Sequence, residues 1–365
     1  MAKSAEALRH AAAAVNPEPP ASTAQRLQQA WLTRGVLARA LLPLAAVFGA
    51  LTALRRGLYR IGWLRSHSTP APVIVVGNLI VGGAGKTPTV IAIASALRRL
   101  GYTPGIVSRG YGAQFEGLLD VAPDLPATRC GDEPLLMHLR TGAPVVVGRD
   151  RVAAARHLLR QHPAVDVVVS DDGLQHLALA RDAQVLVFDE RGAGNGWLLP
   201  AGPLREALPR ALPPRTLVLY NAARATTPLP GALAHRSLAG AVALRDWWQS
   251  LPATTAKLDA LRGRPVLAAA GLASPQRFFE MLRDAGLTIS PLPLPDHHDY
   301  AALPWPTDTT DVIVTEKDAI KLRAERVGAT RVWVAPLDFA FDAAFESALI
   351  ALLPPPGSRH GNTPA

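Results

Sequence analysis

A lysine and a threonine directly follow a run of closely spaced glycines, a spacing suited to holding a phosphate. Gly82, Gly83 and Gly85 remove Cβ atoms from this stretch, so backbone N–H groups can point at an anion. Lys86 then adds a positive charge, and Thr87 offers a hydroxyl to Mg²⁺. The pattern predicts a P-loop. Its expected phosphate contacts are Ile80, Val81, Gly82, Gly83, Ala84, Gly85, Lys86 and Thr87.

Two adjacent carboxylates follow a run of valines further along the chain. Residues 165–169 are predicted to form a buried strand, and Ser170, Asp171 and Asp172 come directly after it. In P-loop proteins the carboxyl edge of the sheet holds Mg²⁺ and its water shell. We therefore expect Asp171 and Asp172 to take part in metal binding; the alternative is an aspartate that only caps a turn.

Two other segments contain adjacent or closely spaced acidic residues, and the second also contains histidines. Asp132 and Glu133 precede Pro134 at a predicted helix start, where acids commonly only complement the helix dipole. His297 lies within the Pro-flanked residues 296–299, but no third His or Cys stands at the spacing of a zinc site. A histidine paired with a carboxylate, acting as acid or base, is the better interpretation.

The roles of two later charged segments remain open from the residues alone. Arg205 follows a tight turn and is either a surface arginine or a partner for charge that develops in a transition state. Residues 311–318 resemble a guanine-reading loop, but Lys317 stands one place late for that pattern. The sequence therefore does not predict GTP binding.

Alternating strand and helix patterns surround these residues from position 71 onward. Val73–Gly77 is predicted as a strand before the glycines, and residues 87–100 as a helix after them. Because Ile80 occupies the position of the usual first glycine, the alternative is a glycine-rich turn without a ligand. Further strands are predicted at 105–107, 144–148, 184–188 and 216–220. This alternation predicts an α/β fold with right-handed crossovers and a mostly parallel sheet.

An uncharged apolar stretch, residues 40–54, lies near the N-terminus with arginines on both sides. It is shorter than the roughly 20 residues that a helix needs to cross a bilayer. A helix lying at the cytoplasmic face of a membrane, with its arginines on anionic lipid headgroups, is consistent with both the short length and the arginines on both sides. The alternatives are a single tilted span, a secretory signal and a buried core helix.

Composition shifts divide the chain into segments. The predicted order is a disordered leader at 1–30, a membrane-associated helix at 31–65, a P-loop domain at 66–207, a linker at 208–239, a second, smaller α/β domain at 240–353 and a loose tail at 354–365. The linker is assigned to a stretch rich in Pro and Ala, where the strand and helix patterns become weak.

The overall charge predicts an anionic partner. Lys and Arg number 38 against 29 Asp and Glu, for a formal net charge of +9. No zinc-ligand spacing, basic aromatic repeat or other nucleic-acid module is recognisable, so a lipid headgroup or a phosphorylated substrate is preferred over nucleic acid. The single cysteine, Cys130, excludes an intramolecular disulfide and fits a reducing compartment.

Seven motifs in order resemble the tetraacyldisaccharide 4'-kinase family, the lipid A biosynthesis kinases of Gram-negative bacteria. They are VGNLIVGGAGKTPTV (76–90), SRGYG (108–112), GDEP (131–134), SDDGLQH (170–176), PAGPLRE (200–206), PDHH (295–298) and VTEKDA (314–319). No single motif is specific, but their combination and order are. The resemblance covers about residues 31–353.

The resemblance implies an inner-membrane enzyme that moves the γ-phosphate of ATP to the 4'-hydroxyl of a lipid A disaccharide precursor. It implies two α/β/α domains, with the active site between them. By motif, Asp132 is the expected general base and His297 its partner, and Lys86 and Arg205 supply positive charge. The expected magnesium shell contains Thr87, with Glu133, Asp171 and Asp172 in or near it.

Two other functions compete with this one. A membrane-associated nucleotide-switch ATPase would share the P-loop and the apolar helix, but would have no use for Asp132 and His297. A scaffold that binds nucleotide only for stability is the non-enzymatic alternative.

Overall fold

Two mostly parallel β-sheets organise the chain, and the computed structural model describes residues 23–358. The larger sheet contains β1 (Val73–Gly77), β2 (Pro104–Ser108), β3 (Leu118–Asp120), β4 (Val145–Gly148), β5 (Val167–Asp171), β6 (Ala183–Phe188), β7 (Thr216–Tyr220), β8 (Ala232–Leu238) and, from near the C-terminus, β14 (Leu337–Phe341). Their spatial order is β14-β8-β7-β6-β1-β5-β2-β4-β3. Strand β1 therefore lies at the centre, and the edge strands β3 and β14 run antiparallel to their neighbours.

The smaller sheet is formed by residues between β8 and β14. It contains β9 (Val242–Ala243), β10 (Pro265–Ala270), β11 (Thr288–Pro293), β12 (Asp311–Val314) and β13 (Arg331–Val334), in the order β11-β10-β12-β13-β9. All neighbours are parallel except β9, which pairs antiparallel with β13.

Helices connect the strands and cover the sheets. They are α1 (Thr23–Ala30), α2 (Val36–Ala40), α3 (Leu42–Arg60), α4 (Lys86–Arg99), α5 (Ala127–Cys130), α6 (Asp132–Thr141), α7 (Arg151–Gln161), α8 (Leu244–Trp248), α9 (Thr255–Asp259), α10 (Gln276–Asp284), α11 (Glu316–Ala319) and α12 (Ala343–Ile350), with a 3₁₀ turn at Ala324–Arg326.

The central strands are buried on both faces because helices cover the larger sheet from both sides. Every residue of β1 and of β5 is buried. Apolar side chains of α4, such as Ile93 and Leu97, fill the cluster on one face, and Leu158 of α7 fills the cluster on the other. This double burial explains why these strands are runs of valine and isoleucine without polar alternation.

The predicted parallel α/β arrangement is confirmed, with shifts at some element ends. The strand expected at 165–169 occupies Val167–Asp171 instead. The side chain of Asp166 accepts hydrogen bonds from the backbone N–H groups of Thr103 and Gly357. It therefore joins the segments before β2 and after α12, and the strand begins one residue later. As a result, Asp171 is the last residue of β5 and Asp172 the first residue beyond it.

Residues 208–239, expected to form a linker, instead supply two strands of the larger sheet, β7 and β8. Strand β8 leads into the smaller unit, and β14 follows that unit. The two strands pair antiparallel, with Leu238 opposite Leu337 and Ala234 opposite Phe341. Helix α12 then packs against β7. The chain thus crosses between the units twice. The strand pairings supply hydrogen bonds to the backbone N–H and C=O groups of a stretch whose composition predicted no regular structure.

The N-terminal segment is helical where it is described. The leader expected at 1–30 lies outside the described residues up to position 22, and Thr23–Ala30 forms α1. Helix α3 leaves large apolar side chains exposed, and no helix within residues 23–358 is long and apolar enough to cross a membrane. Residues 359–365 of the expected tail also lie outside the described part.

Side chains at the start of the chain join it to the larger unit. The Trp31 indole donates to the carbonyl of Pro200 at 2.9 Å, and Arg34 donates to the carbonyl of Asn195 at 3.0 Å. Within α3, Arg55 donates to the carbonyl of Gln175 and Arg56 pairs with Glu206. Helix α3 therefore lies beside the loops that follow β5 and β6.

Candidate active site

A cleft of about 990 Å³ opens between the two units, at the carboxyl ends of β1 and β5. The larger unit lines it with the loop before α4 and with the residues at the end of β5. The smaller unit lines it with residues 296–297 and 315–317. Loops at the carboxyl ends of parallel strands are the usual place for ligands in open α/β sheets.

Four successive carbonyl oxygens of the glycine loop (residues 78–85) accept hydrogen bonds from side chains. Arg191 donates to the carbonyls of Val81 and Gly83, Asn78 to Gly82, and Asn221 to Ala84. By contrast, no described residue accepts a hydrogen bond from the backbone N–H groups of residues 82–85. The loop therefore has its acceptors satisfied and its donors free, the arrangement that binds an anion.

Gly85 ends the loop in a conformation that requires glycine. Its φ angle is +87°, and a Cβ atom there would lie 2.0 Å from the amide nitrogen of Asn221. Helix α4 begins at the next residue, so its positive N-terminus meets the same free N–H groups.

Lys86 and the two aspartates after β5 form one charged cluster. The Lys86 ammonium lies 3.2 Å from the side-chain oxygen of Asn78 and 3.4 Å from Asp172. Arg205 reaches the same Asp172 carboxylate at 3.2 Å. Burial raises the pKa of Asp172, but the charges of Lys86 and Arg205 outweigh burial and hold that pKa below its usual range.

Asp171 differs from its neighbour because it is fully buried. Ser108 donates to one of its carboxylate oxygens at 2.8 Å, whereas the other oxygen is buried and receives no hydrogen bond from a described residue. Burial, together with the charges of Glu133 and Asp172, raises the pKa of Asp171. The charge of Lys86 offsets this effect only in part, and a buried carboxylate oxygen without a partner is unfavourable unless a ligand reaches it.

Asp132 and His297 are brought together from the two units. Asp132 is the first residue of α6, and its Oδ2 lies 3.0 Å from Nδ1 of His297, although 165 positions separate them in the chain. The ammonium of Lys321 lies 2.9 Å from the same oxygen. Burial raises the pKa of Asp132, but the contacts with His297 and Lys321 outweigh burial and lower it.

Most of the residues predicted for the site line the cleft, with two exceptions, Ile80 and Asp132; Asp132 lies behind the lining and is joined to it through His297. Those lining the cleft are Val81, Gly82, Gly83, Ala84, Gly85, Lys86, Thr87, Glu133, Asp171, Asp172, Arg205 and His297. Ile80 does not line it: its side chain is fully buried in the core, and its backbone forms a bridge with Leu204. Ile80 thus supports the loop from below and is not placed to contact a phosphate.

A hard cation fits the donors at the end of β5. Asp171 offers its free oxygen and Thr87 a hydroxyl at the cleft, both suited to Mg²⁺. Within residues 23–358, no group of three or more His, Cys, Asp or Glu side chains is arranged to hold a metal by itself. Such a cation would therefore need phosphate oxygens and water as further ligands.

Sequence reasoning missed four side chains that hold the site in place. Asn78, Arg191 and Asn221 fix the glycine loop, and Lys321 pairs with Asp132. A usable signal existed for some of them: Asn221 directly follows a predicted strand, and Lys321 stands four residues after Lys317. Contacts between distant segments determine their roles, and these contacts cannot be read from spacing.

The family model for tetraacyldisaccharide-1-P 4'-kinase matches residues 37–354 of the chain. A tetraacyldisaccharide 4'-kinase of Methylibium petroleiphilum is 59% identical over 355 residues, covering 94% of this chain and 99% of that protein. One of Leptothrix cholodnii is 57% identical, covering 91% and 96%.

Among solved structures, the chain is similar to LpxK from Aquifex aeolicus in complex with ATP. The two share 26% sequence identity and a TM-score of 0.72, with 87% of this chain and all of that chain covered. These matches agree with the resemblance carried by the seven motifs. The chain belongs to the tetraacyldisaccharide-1-P 4'-kinase family.

Proposed function

We propose that the cleft between the two units is where a lipid disaccharide is phosphorylated. The chain is a kinase of this family, which transfers the γ-phosphate of ATP to the 4'-hydroxyl of a tetraacyldisaccharide 1-phosphate in lipid A biosynthesis. The observation that supports the location is that the anion-binding loop and His297, whose Nδ1 contacts Asp132, line the same cleft.

The glycine loop binds the ATP phosphates through its free N–H groups and Lys86. Thr87 and Asp171 would hold Mg²⁺, with Glu133 and Asp172 near it, and the ion would supply positive charge that neutralises the phosphates. Arg205 lies close enough to Asp172 to bring a further positive charge to the same place. Phosphoryl transfer needs this charge neutralisation and in-line positioning more than covalent help.

Asp132 acts as the general base. The 4'-oxygen of the acceptor attacks the γ-phosphorus, the bond to the β–γ bridging oxygen breaks, and ADP leaves with the electron pair. The proton of the 4'-hydroxyl passes to Asp132, which His297 orients through the hydrogen bond between Nδ1 and Oδ2. A nucleotide-switch ATPase would use water and would not need this pair, so the 3.0 Å contact favours the kinase.

Helices α2 and α3 are proposed to rest on the cytoplasmic face of the inner membrane. Leu44, Val47, Leu51 and Leu54 are each 57–60% exposed, and their spacing places them on one face of α3. The same helix is tied by Arg55 to the loop after β5. Its apolar face would therefore bring the cleft to a substrate whose acyl chains stay in the bilayer.

We expect Lys86→Ala and Asp132→Asn each to lower label transfer from γ-³²P-ATP to the lipid disaccharide. The loss should be about 100-fold or more, because each change removes charge stabilisation or the proton acceptor. Thin-layer separation of lipid from free phosphate measures the transfer. Label released by the unsubstituted protein only as free phosphate would instead support the nucleotide switch.

Replacing Gly85 by alanine should weaken ATP binding by about 10-fold or more. A strain of roughly 1.4 kcal/mol in the bound loop is enough for a tenfold loss of affinity. The new Cβ would clash with Asn221 in a left-handed backbone conformation. Gly83→Ala is the matched control, because a Cβ there meets nothing within 4 Å and its φ is not left-handed. Isothermal titration calorimetry measures both, and equal affinities for the two variants would contradict the loop geometry.

The double substitution Leu44→Gln and Leu51→Gln should release the protein from vesicles of phosphatidylglycerol and phosphatidylethanolamine. Each change removes apolar surface that is about 60% exposed, worth roughly 1.5–3 kcal/mol per side chain when buried in the membrane. Leu251→Gln, an exposed leucine of the smaller unit, is the control. Vesicle sedimentation gives the bound fraction, and unchanged binding of the double variant would refute the proposed contact.

A further inference from the structure

Three ion pairs join helix α6 of the larger unit to one short segment of the smaller unit, residues 315–321. Lys321 pairs with Asp132 at 2.9 Å and Lys317 pairs with Glu133 at 3.5 Å, both in the first turn of α6. Glu316 pairs with an arginine in the last turn of the same helix. The segment therefore contacts α6 along its whole length.

The position of Lys321 is fixed by a buried network beneath it. Asp318 has no exposed surface, and it accepts hydrogen bonds from the backbone N–H of Gly271 at 3.0 Å and from the hydroxyl of Thr315 at 2.6 Å. The backbone N–H of Lys321 in turn donates to the carbonyl of Asp318. The loop carrying the lysine is thus anchored to the smaller sheet.

The Lys321 ammonium forms an ion pair with Asp132, and its charge also acts on the buried carboxylate of Asp318. Its side chain is only 7% exposed, and among the described residues its ion pair is with Asp132. Burying a lysine is unfavourable unless its charge is paired, so this contact must compensate for lost hydration. The pair also crosses the cleft, so it forms only when the two units are correctly placed.

Both partners of Asp132 contact the same carboxylate oxygen. His297 Nδ1 and Lys321 Nζ lie 3.0 Å and 2.9 Å from Oδ2, whereas no described residue donates to Oδ1. One hydrogen bond and one ion pair thus meet at Oδ2. Oδ1 is the oxygen of this carboxylate that has no partner among the described residues.

We propose that Lys321 is a positioning residue for Asp132: with His297 it holds Oδ2, and Oδ1 is thereby the oxygen that accepts the proton of the acceptor hydroxyl. This inference rests on the proposed function, in which Asp132 is the general base. Lys321 touches neither ATP nor acceptor in this account; it acts through Asp132 alone.

The alternative role is purely structural, with Lys321 serving only to join the two units. In that case Lys321→Met would lose kcat because the protein unfolds or its units separate, and the loss would not depend on the carboxylate of Asp132.

The experiment compares steady-state kinetics and thermal unfolding of Lys321→Met and Lys321→Arg in the full-length protein. For Lys321→Met we expect kcat to fall about 10- to 100-fold, since a general base contributes roughly 10²–10⁴. The KM for ATP should stay within about twofold of the original value, a change that corresponds to only about 0.4 kcal/mol. Lys321→Arg keeps the charge and should recover most of kcat, and both variants should be folded at the assay temperature.

Combining Lys321→Met with Asp132→Asn completes the test. If Lys321 acts through Asp132, the double variant should have the same kcat as Asp132→Asn alone, because effects of residues acting as a unit are not additive. A further multiplicative loss, unfolding of Lys321→Met at the assay temperature, or full activity of Lys321→Met would each overturn the inference. Full activity of Asp132→Asn would instead refute the proposed function itself, so the two failures are distinguishable.

Discussion

Charge pairing across the cleft is the interaction on which the site depends. Asp132 belongs to the larger unit, but its hydrogen-bond partner His297 and its ion-pair partner Lys321 come from the smaller one. A partly buried carboxylate that must stay ionised requires such partners. The group proposed as the general base is therefore complete only when both sheets are in place, which gives a physical reason for the two-unit architecture.

The larger sheet provides the other half of the site through its topology alone. Because β1 and β5 are parallel neighbours, the glycine loop and the Asp171–Asp172 pair emerge at the same edge. Side chains from later strands then complete the loop: Asn221 follows β7 and Arg191 follows β6. The loop's shape is thus maintained by the same sheet that brings the acids beside it, so the residues proposed to bind phosphate and metal share one scaffold.

Sequence analysis predicted the central sheet and the glycine loop before α4 because their signals are local. Buried parallel strands are continuous apolar runs, and a loop ending in Gly-Lys-Thr before a helix is typical of a phosphate-binding site. It failed for β8, whose residues 232–238 alternate between half-buried and exposed positions and gain their structure from pairing with β14, about 100 residues later. It also misplaced Ile80, since motif spacing cannot tell a residue that contacts a ligand from one that supports the loop. The pairing of Asp132 with His297 came from the family resemblance and not from spacing, and Lys321 was visible only in three dimensions.

The most direct test of the account is a crystal structure with Mg²⁺, a non-hydrolysable ATP analogue and the disaccharide acceptor bound together. The account predicts that Oδ1 of Asp132 lies about 2.6–3.2 Å from the acceptor 4'-oxygen. It also predicts that the γ-phosphate meets the N–H groups of the glycine loop, while Oδ2 keeps its contacts with His297 and Lys321. A complex in which the 4'-oxygen lies against another side chain, with Asp132 turned away from the acceptor, would contradict it.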